Sequence, residues 1–154
     1  TDRFLASALG ARPINGVVHG SNMTIEVPQF DRNWTLAVSS WIDAFGVGAR
    51  KERDALLVHA HGTKHTIDVD DTPGDAYQIA TLVSADSDYH GQTIQLDACN
   101  TGIEGGIGQT LSRLLNVRLI APTGYVDWRG NVTGITGEHA WNVYENGELV
   151  GWYD

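Results

Sequence analysis

A chain of 154 residues, 42% hydrophobic and 19% charged, has the length and composition of one globular domain with enough core to fold without disulfide or metal staples. Its net charge of −9, from 10 basic against 19 acidic side chains, works against nucleic acid and anionic lipid, which need a clustered basic face. No apolar run reaches the ~18–20 residues that cross a bilayer, so no membrane span is expected.

The one methionine, Met23, lies inside the chain, and Thr1-Asp2-Arg3 does not open a signal peptide. Residues 1–154 are therefore read as a single domain processed from, or forming a module of, a longer protein. A lone cysteine, Cys99, rules out an internal disulfide and is either inert core or a candidate nucleophile.

Segment 14–27 is β-branched and strand-rich. Asp31 can cap a helix running to Phe45, with Trp34, Val38, Trp41, Ile42 and Phe45 at helical spacing and Gly46 and Gly48 stopping it. Lys51-Glu52-Arg53-Asp54 reads as a charged surface turn. The apolar run 55–58 reads as a buried strand ending in His59-Ala60-His61-Gly62. Segment 66–72 is polar, and Pro73-Gly74 reads as a turn. Asp75 can cap a helix through Ile79, Leu82 and Val83. A strand over 93–99 ends in Cys99, and a glycine-rich turn at 100–108 leads to a short helix with Leu111, Leu114 and Leu115 on one face. A strand over 117–121 follows. The alternating tail from 139 to 150 turns at Glu145-Asn146-Gly147, a hairpin signal.

Strands alternating with helices predict an α/β fold with a mostly parallel sheet, helices on both faces and a C-terminal hairpin. Ligands of such sheets bind beyond the carboxyl ends of the strands, where both His61-Gly62 and Cys99 fall. Enough chain lies between them for one strand–helix–strand crossover, which brings the two strand ends together. The His61 imidazole can then take the Cys99 thiol proton and later protonate a leaving amine. The backbone N–H groups of Gly62 and Cys99 are candidates for an oxyanion hole. The bland alternative is a buried, inert thiol. Asp97 shares a strand face with Cys99 and is either a substrate contact or a cap of the next turn.

A hydrophobic strand ending in His-Gly, here 56–62, followed by one ending in Ala-Cys, here 94–99, resembles the caspase-like (clan CD) cysteine peptidases. Ala98-Cys99-Asn100-Thr101-Gly102 and the segment 119–126 resemble such domains in large bacterial secreted toxins. The resemblance covers about residues 55–150; residues 1–50 add little. It implies a caspase-like three-layer sandwich, a Cys99–His61 dyad and cleavage of a polypeptide, with no cofactor and no metal. It further implies a toxin, effector or autoprocessing module, secreted or delivered by a bacterium, acting in the cytosol of a target cell and met by a cognate inhibitor or immunity protein. Relatives with Asp at the position of Asp97 cleave after Arg or Lys, so Asp97, with Asp127 and Trp128, is expected to line that pocket. Arg129 offers the opposite preference. The basic cleft of inositol-phosphate-activated relatives is absent from the pattern: the ten Lys and Arg are unclustered.

Three other readings remain. His59, His61 and His65 with Asp68, Asp70 and Asp71 suggest a metal cluster, but match no familiar zinc spacing, and Lys64 sits badly beside a cation. In the simpler account His59 lies behind the base and His65 is on the surface. The tail containing His139 and Asp154 resembles a transglutaminase-like block, which makes Cys99, His139 and Asp154 a triad; otherwise His139 is on an exposed hairpin face. Last, the domain is a catalytically silent binding module.

Overall fold

The structure is a computed structural model and describes residues 21–24, 50–69, 72–127 and 130–154. Six strands join in one sheet. In chain order the strands are β1 (Ser21–Thr24), β2 (Leu56–His59), β5 (Ile94–Asp97), β6 (Arg118–Pro122), β9 (Trp141–Glu145) and β10 (Glu148–Tyr153), and they are neighbours in that same order. The β1–β2, β2–β5 and β5–β6 pairs are parallel; β9 runs antiparallel to β6 and β10 antiparallel to β9. The expected mixed α/β fold, mostly parallel sheet and C-terminal hairpin are all present. The helix expected from Asp31 to Phe45, and most of segment 14–27, lie outside the described residues.

Strands β2 and β5 lie inside the sheet with a neighbour on each side, and every residue of both is buried. Leu56, Val58, Ile94, Leu96 and Ala98 point to one face. There they meet Ile79 and Val83 of helix α1 (Ala76–Ala85) and Ile107 and Leu111 of helix α2 (Ile107–Leu115). The strand period of two sends Leu57, His59, Gln95 and Asp97 to the opposite face. Asp75 caps α1 in a reciprocal box with Gln78, both bonds 2.9 Å, worth about 1 kcal/mol. The buried stripe of α2 is Ile107, Gly108, Leu111 and Ser112. Leu114, expected on that face with Leu111 and Leu115, is 37% exposed: the 3.6-residue period places it at the edge of the buried stripe.

Pro73-Gly74, expected as a turn, is instead part of strand β4 (Thr72–Gly74), which pairs with β3 (Ile67–Val69) in a separate two-stranded sheet. Such a peripheral strand tolerates a residue without a donor N–H. Asn146 and Gly147, at φ 48° and 85°, form the mirror-image turn of the β9–β10 hairpin. A further short hairpin, β7 (Tyr125–Val126) with β8 (Val132–Thr133), stands beside the carboxyl ends of β5 and β6.

The expected charged turn at 51–54 does more than face solvent. Lys51 donates its backbone N–H to the Gln95 side chain at 2.8 Å and lays its ammonium over the Trp141 ring. Glu52 accepts from Arg118 (2.6–3.0 Å), Tyr153 (2.8 Å) and Thr93 (3.2 Å), and Arg118 also donates to Glu145 at 2.7 Å. Burial alone raises the Glu52 carboxyl; the bonds from Arg118 and Tyr153 outweigh it and hold it below its usual range. A lowered carboxyl stabilises the fold above its unfolded titration range and loses that contribution as pH falls. Arg118→Met, which keeps the packing stem, is expected to lose about 1–3 kcal/mol, since it strips the guanidinium from a half-buried carboxylate. Urea unfolding at neutral pH checks this.

Candidate active site at the carboxyl ends of the parallel strands

The register pairs His59 of β2 with Asp97 of β5. His61 and Cys99 each lie two residues further on, so they leave adjacent strand ends at the same level. The loop after β2 folds against the turn after β5. A Cβ built on Gly62 would meet the Thr101 methyl at 2.8 Å, Ala98 Cβ at 3.0 Å and the Cys99 carbonyl at 3.1 Å. Only a residue without a side chain lets the two backbones approach this closely. His61 is exposed, and its carbonyl accepts from the Asp68 N–H at 2.9 Å. Cys99 is half-buried, and its Sγ lies 3.8 Å from the Val126 carbonyl.

The backbone donors fall into two groups. After Cys99, the N–H of Asn100 donates to Gly124 (2.8 Å), that of Thr101 to Ala98 (3.5 Å) and that of Gly102 to Pro122 (2.7 Å). The Gly62–Ile67 bridge draws on the N–H groups of Thr63 and Asp68, not on that of Gly62. The two amides expected to hold an oxyanion, Gly62 and Cys99, are thus outside these turn bonds. Asn100 makes the turn at φ 64°, a left-handed conformation that Asn tolerates better than most residues.

Asp97 is buried on the second face. Its Oδ1 accepts from Gln95 at 3.1 Å, and its Oδ2, 3.4 Å from His59 Nδ1, has no hydrogen-bond partner among the described residues. Burial raises its carboxyl to about 7, with the Asp127 charge adding to the rise and Gln95, Arg50 and Lys51 opposing it. Burial, then the charge of Arg50, lowers His59 to about 3, so that imidazole is neutral. His59 is buried beside Asp97, whereas His65 is exposed. Asp127 is exposed in the β7–β8 hairpin and accepts from Asn131. Trp128, Arg129, Asp70 and Asp71 lie outside the described residues. Among the described residues, no three His, Cys, Asp or Glu side chains converge as metal ligands, and no helix is long and apolar enough to cross a membrane.

His139 is not on a free hairpin face. Its Nδ1 is 2.8 Å from Asp154 Oδ1, and its ring stacks on Trp152 at 4.3 Å and 5°. It stands at the same end of the sheet as Cys99, because β9 starts opposite the end of β6. The N-terminal amides of α2 at Ile107 and Gly108 donate to the carbonyls of Lys64 and Thr101. Sequence reasoning missed two anchors of the cysteine turn, Asn142 and Tyr144 on β9, both bonded to the Gly102 carbonyl. Their only sequence signal is a spacing of two on a strand.

Fold and site together define a mixed α/β domain with a cysteine and a histidine at the ends of adjacent parallel strands. The chain belongs to the domain family of unknown function DUF8616, whose model matches residues 39–136. Searches of curated proteins and of solved structures found no match.

Proposed function

We propose that this domain is a caspase-like cysteine endopeptidase with Cys99 as nucleophile and His61 as base. The observation that carries the reading is the seating of Gly62 against the Cys99 turn, at the ends of two paired parallel strands. His61 takes the thiol proton, and the Cys99 sulfur attacks the carbonyl carbon of the scissile peptide bond. The Gly62 and Cys99 N–H groups hold the resulting oxyanion. Protonated His61 gives its proton to the departing amine, leaving a thioester on Cys99. Water, deprotonated by His61, cleaves that thioester to a carboxylic acid and regenerates the thiol.

A caspase-like three-layer sandwich needs a helical layer on the second face, and the apolar spacing of Trp34, Val38, Trp41, Ile42 and Phe45 supports one. The toxin resemblance supports a delivered bacterial effector or autoprocessing module, acting in a target cell's cytosol, with a cognate inhibitor as partner. A mixed peptide library incubated with wild type and Cys99→Ala, with and without a chelator, tests the activity. Chelator-insensitive cleavage lost in Cys99→Ala is expected. Equal cleavage by both forms sinks the proposal, and silence from both moves the domain to the binding-module class.

A preference for Arg or Lys before the scissile bond is supported by the buried Oδ2 of Asp97, which accepts no hydrogen bond among the described residues, with Asp127 nearby. Since Asp97 ionises near pH 7, the ratio of kcat/KM on basic over neutral peptides should climb through that pH; His61 affects both and cancels. A raised carboxyl stabilises the fold below its unfolded range and loses that contribution as pH rises through about 7. Asp97→Asn should therefore raise Tm more at pH 8 than at pH 5 while erasing the basic preference. An unchanged preference would remove Asp97 from the pocket.

The 2.8 Å contact between His139 and Asp154 favours one second reading, a Cys99–His139–Asp154 triad for acyl transfer. It leaves the Gly62 contact without a role.

A further inference from the structure

Cys99 sits in a turn whose far end is held unusually tightly. The Gly102 N–H donates to Pro122 of β6 at 2.7 Å. Its carbonyl accepts two donors from β9: the Tyr144 hydroxyl at 2.7 Å and the Asn142 Nδ2 at 3.0 Å. Asn142 Nδ2 also lies 3.4 Å from the Tyr144 oxygen. Tyr144 is fully buried, so its hydroxyl is committed to this carbonyl rather than to solvent. A Cβ on Gly102 would lie 2.1 Å from the Ala121 carbonyl, so the Gly102 backbone lies directly against β6. Between this anchor and the end of β5 the chain turns through Asn100 at φ 64°. The Asn100 N–H ties the near side of this turn to Gly124 at 2.8 Å, and the Gly102 anchor fixes its far side.

We propose that Tyr144 and Asn142 are positioning residues for the nucleophile, acting through the Gly102 carbonyl. The inference rests on Cys99 being the nucleophile and holds whichever histidine serves as base. A loosened anchor carries the thiol away from its base and from the oxyanion donors, which slows chemistry and leaves substrate binding intact. Misplacement of this kind, at a distance from the reacting atoms, costs up to about 100-fold in rate.

The test compares wild type, Tyr144→Phe, Asn142→Ala, His61→Ala and His139→Ala. Tyr144→Phe keeps the ring and removes the hydroxyl, with its bond to Gly102 and its contact with Asn142. Cys99 alkylation by iodoacetamide is followed across pH, well below each variant's melting temperature, alongside kcat and KM on a cleaved peptide. Tyr144→Phe is expected to slow alkylation at neutral pH and to lower kcat by about tenfold each with KM unchanged, and Asn142→Ala by a smaller factor in the same direction. A merely structural role lowers the melting temperature and moves neither the alkylation profile nor kcat. That result, with alkylation still slowed in His61→Ala or His139→Ala, overturns the positioning role alone. Alkylation indifferent to both histidines overturns the nucleophile reading and this inference with it. Should Tyr144→Phe fail to fold, Asn142→Ala decides by the same readouts.

Discussion

Replacing His61 with alanine is expected to lower peptide hydrolysis by about 10²–10⁴-fold, the usual worth of a positioned general acid–base group. Cys99→Ala should fall to the uncatalysed background. KM should change little, because the imidazole acts on the thiol and the leaving amine rather than on bound substrate. His139→Ala should stay near wild type, because His139 is paired with Asp154 and leaves from β9, two strands from β5 in the sheet order. A series of three single variants, each assayed by initial rates on one cleaved peptide, separates the two histidines. Full activity in His61→Ala with loss in His139→Ala transfers the base to the second histidine.

The largest effect on folding is expected from Gly102→Ala. The added Cβ would lie 2.1 Å from the Ala121 carbonyl oxygen, 2.5 Å from its carbon and 2.9 Å from the Pro122 oxygen. These atoms belong to the backbone of β6, which is paired with β9 at both residues, so they yield less readily than a flexible side chain. A loss of about 3 kcal/mol or more is expected, a large share of the roughly 5–15 kcal/mol that holds a domain together. Gly151→Ala is the control: a Cβ there meets nothing within 4 Å, and its backbone is not left-handed. It should fall within about ±0.5 kcal/mol of wild type. Equal urea midpoints for the two variants would contradict the close packing of the cysteine turn on β6.

Local patterns made much of this fold legible in advance. The run 55–58 is a buried strand because it is apolar and short, and Asp75 starts a helix because its carboxylate and Gln78 cap each other. Asn146-Gly147 turns a hairpin because both residues tolerate positive φ. The pattern misled where tertiary contacts override it. Pro73-Gly74 reads as a turn by composition, yet pairing with Ile67 and Asp68 draws it into a strand. Leu114 has the right residue type but falls at the edge of the buried stripe.

Of the candidate site, the sequence carries the two residue types and their places at strand ends. It does not carry the distance between them. That depends on β2 and β5 being direct neighbours and on Gly62 packing against Ala98 and Thr101, both long-range facts. The same holds for the burial of Asp97 beside His59 and for the grip of Tyr144 and Asn142 on Gly102. No local spacing encodes which carbonyl a buried hydroxyl will reach across more than forty residues of chain.

The most direct test of the central claim is to trap the acyl-transfer step itself. Wild type, His61→Ala and His139→Ala are incubated with peptidyl acyloxymethyl ketones bearing Arg, Lys, Asp or Leu next to the warhead. Adducts are located by intact mass and peptide mapping. The account predicts one adduct per chain, on Cys99, formed fastest with Arg or Lys, retained in His139→Ala and lost in His61→Ala. An adduct on Cys99 that forms equally well without His61, or no adduct with any of the four, would contradict it.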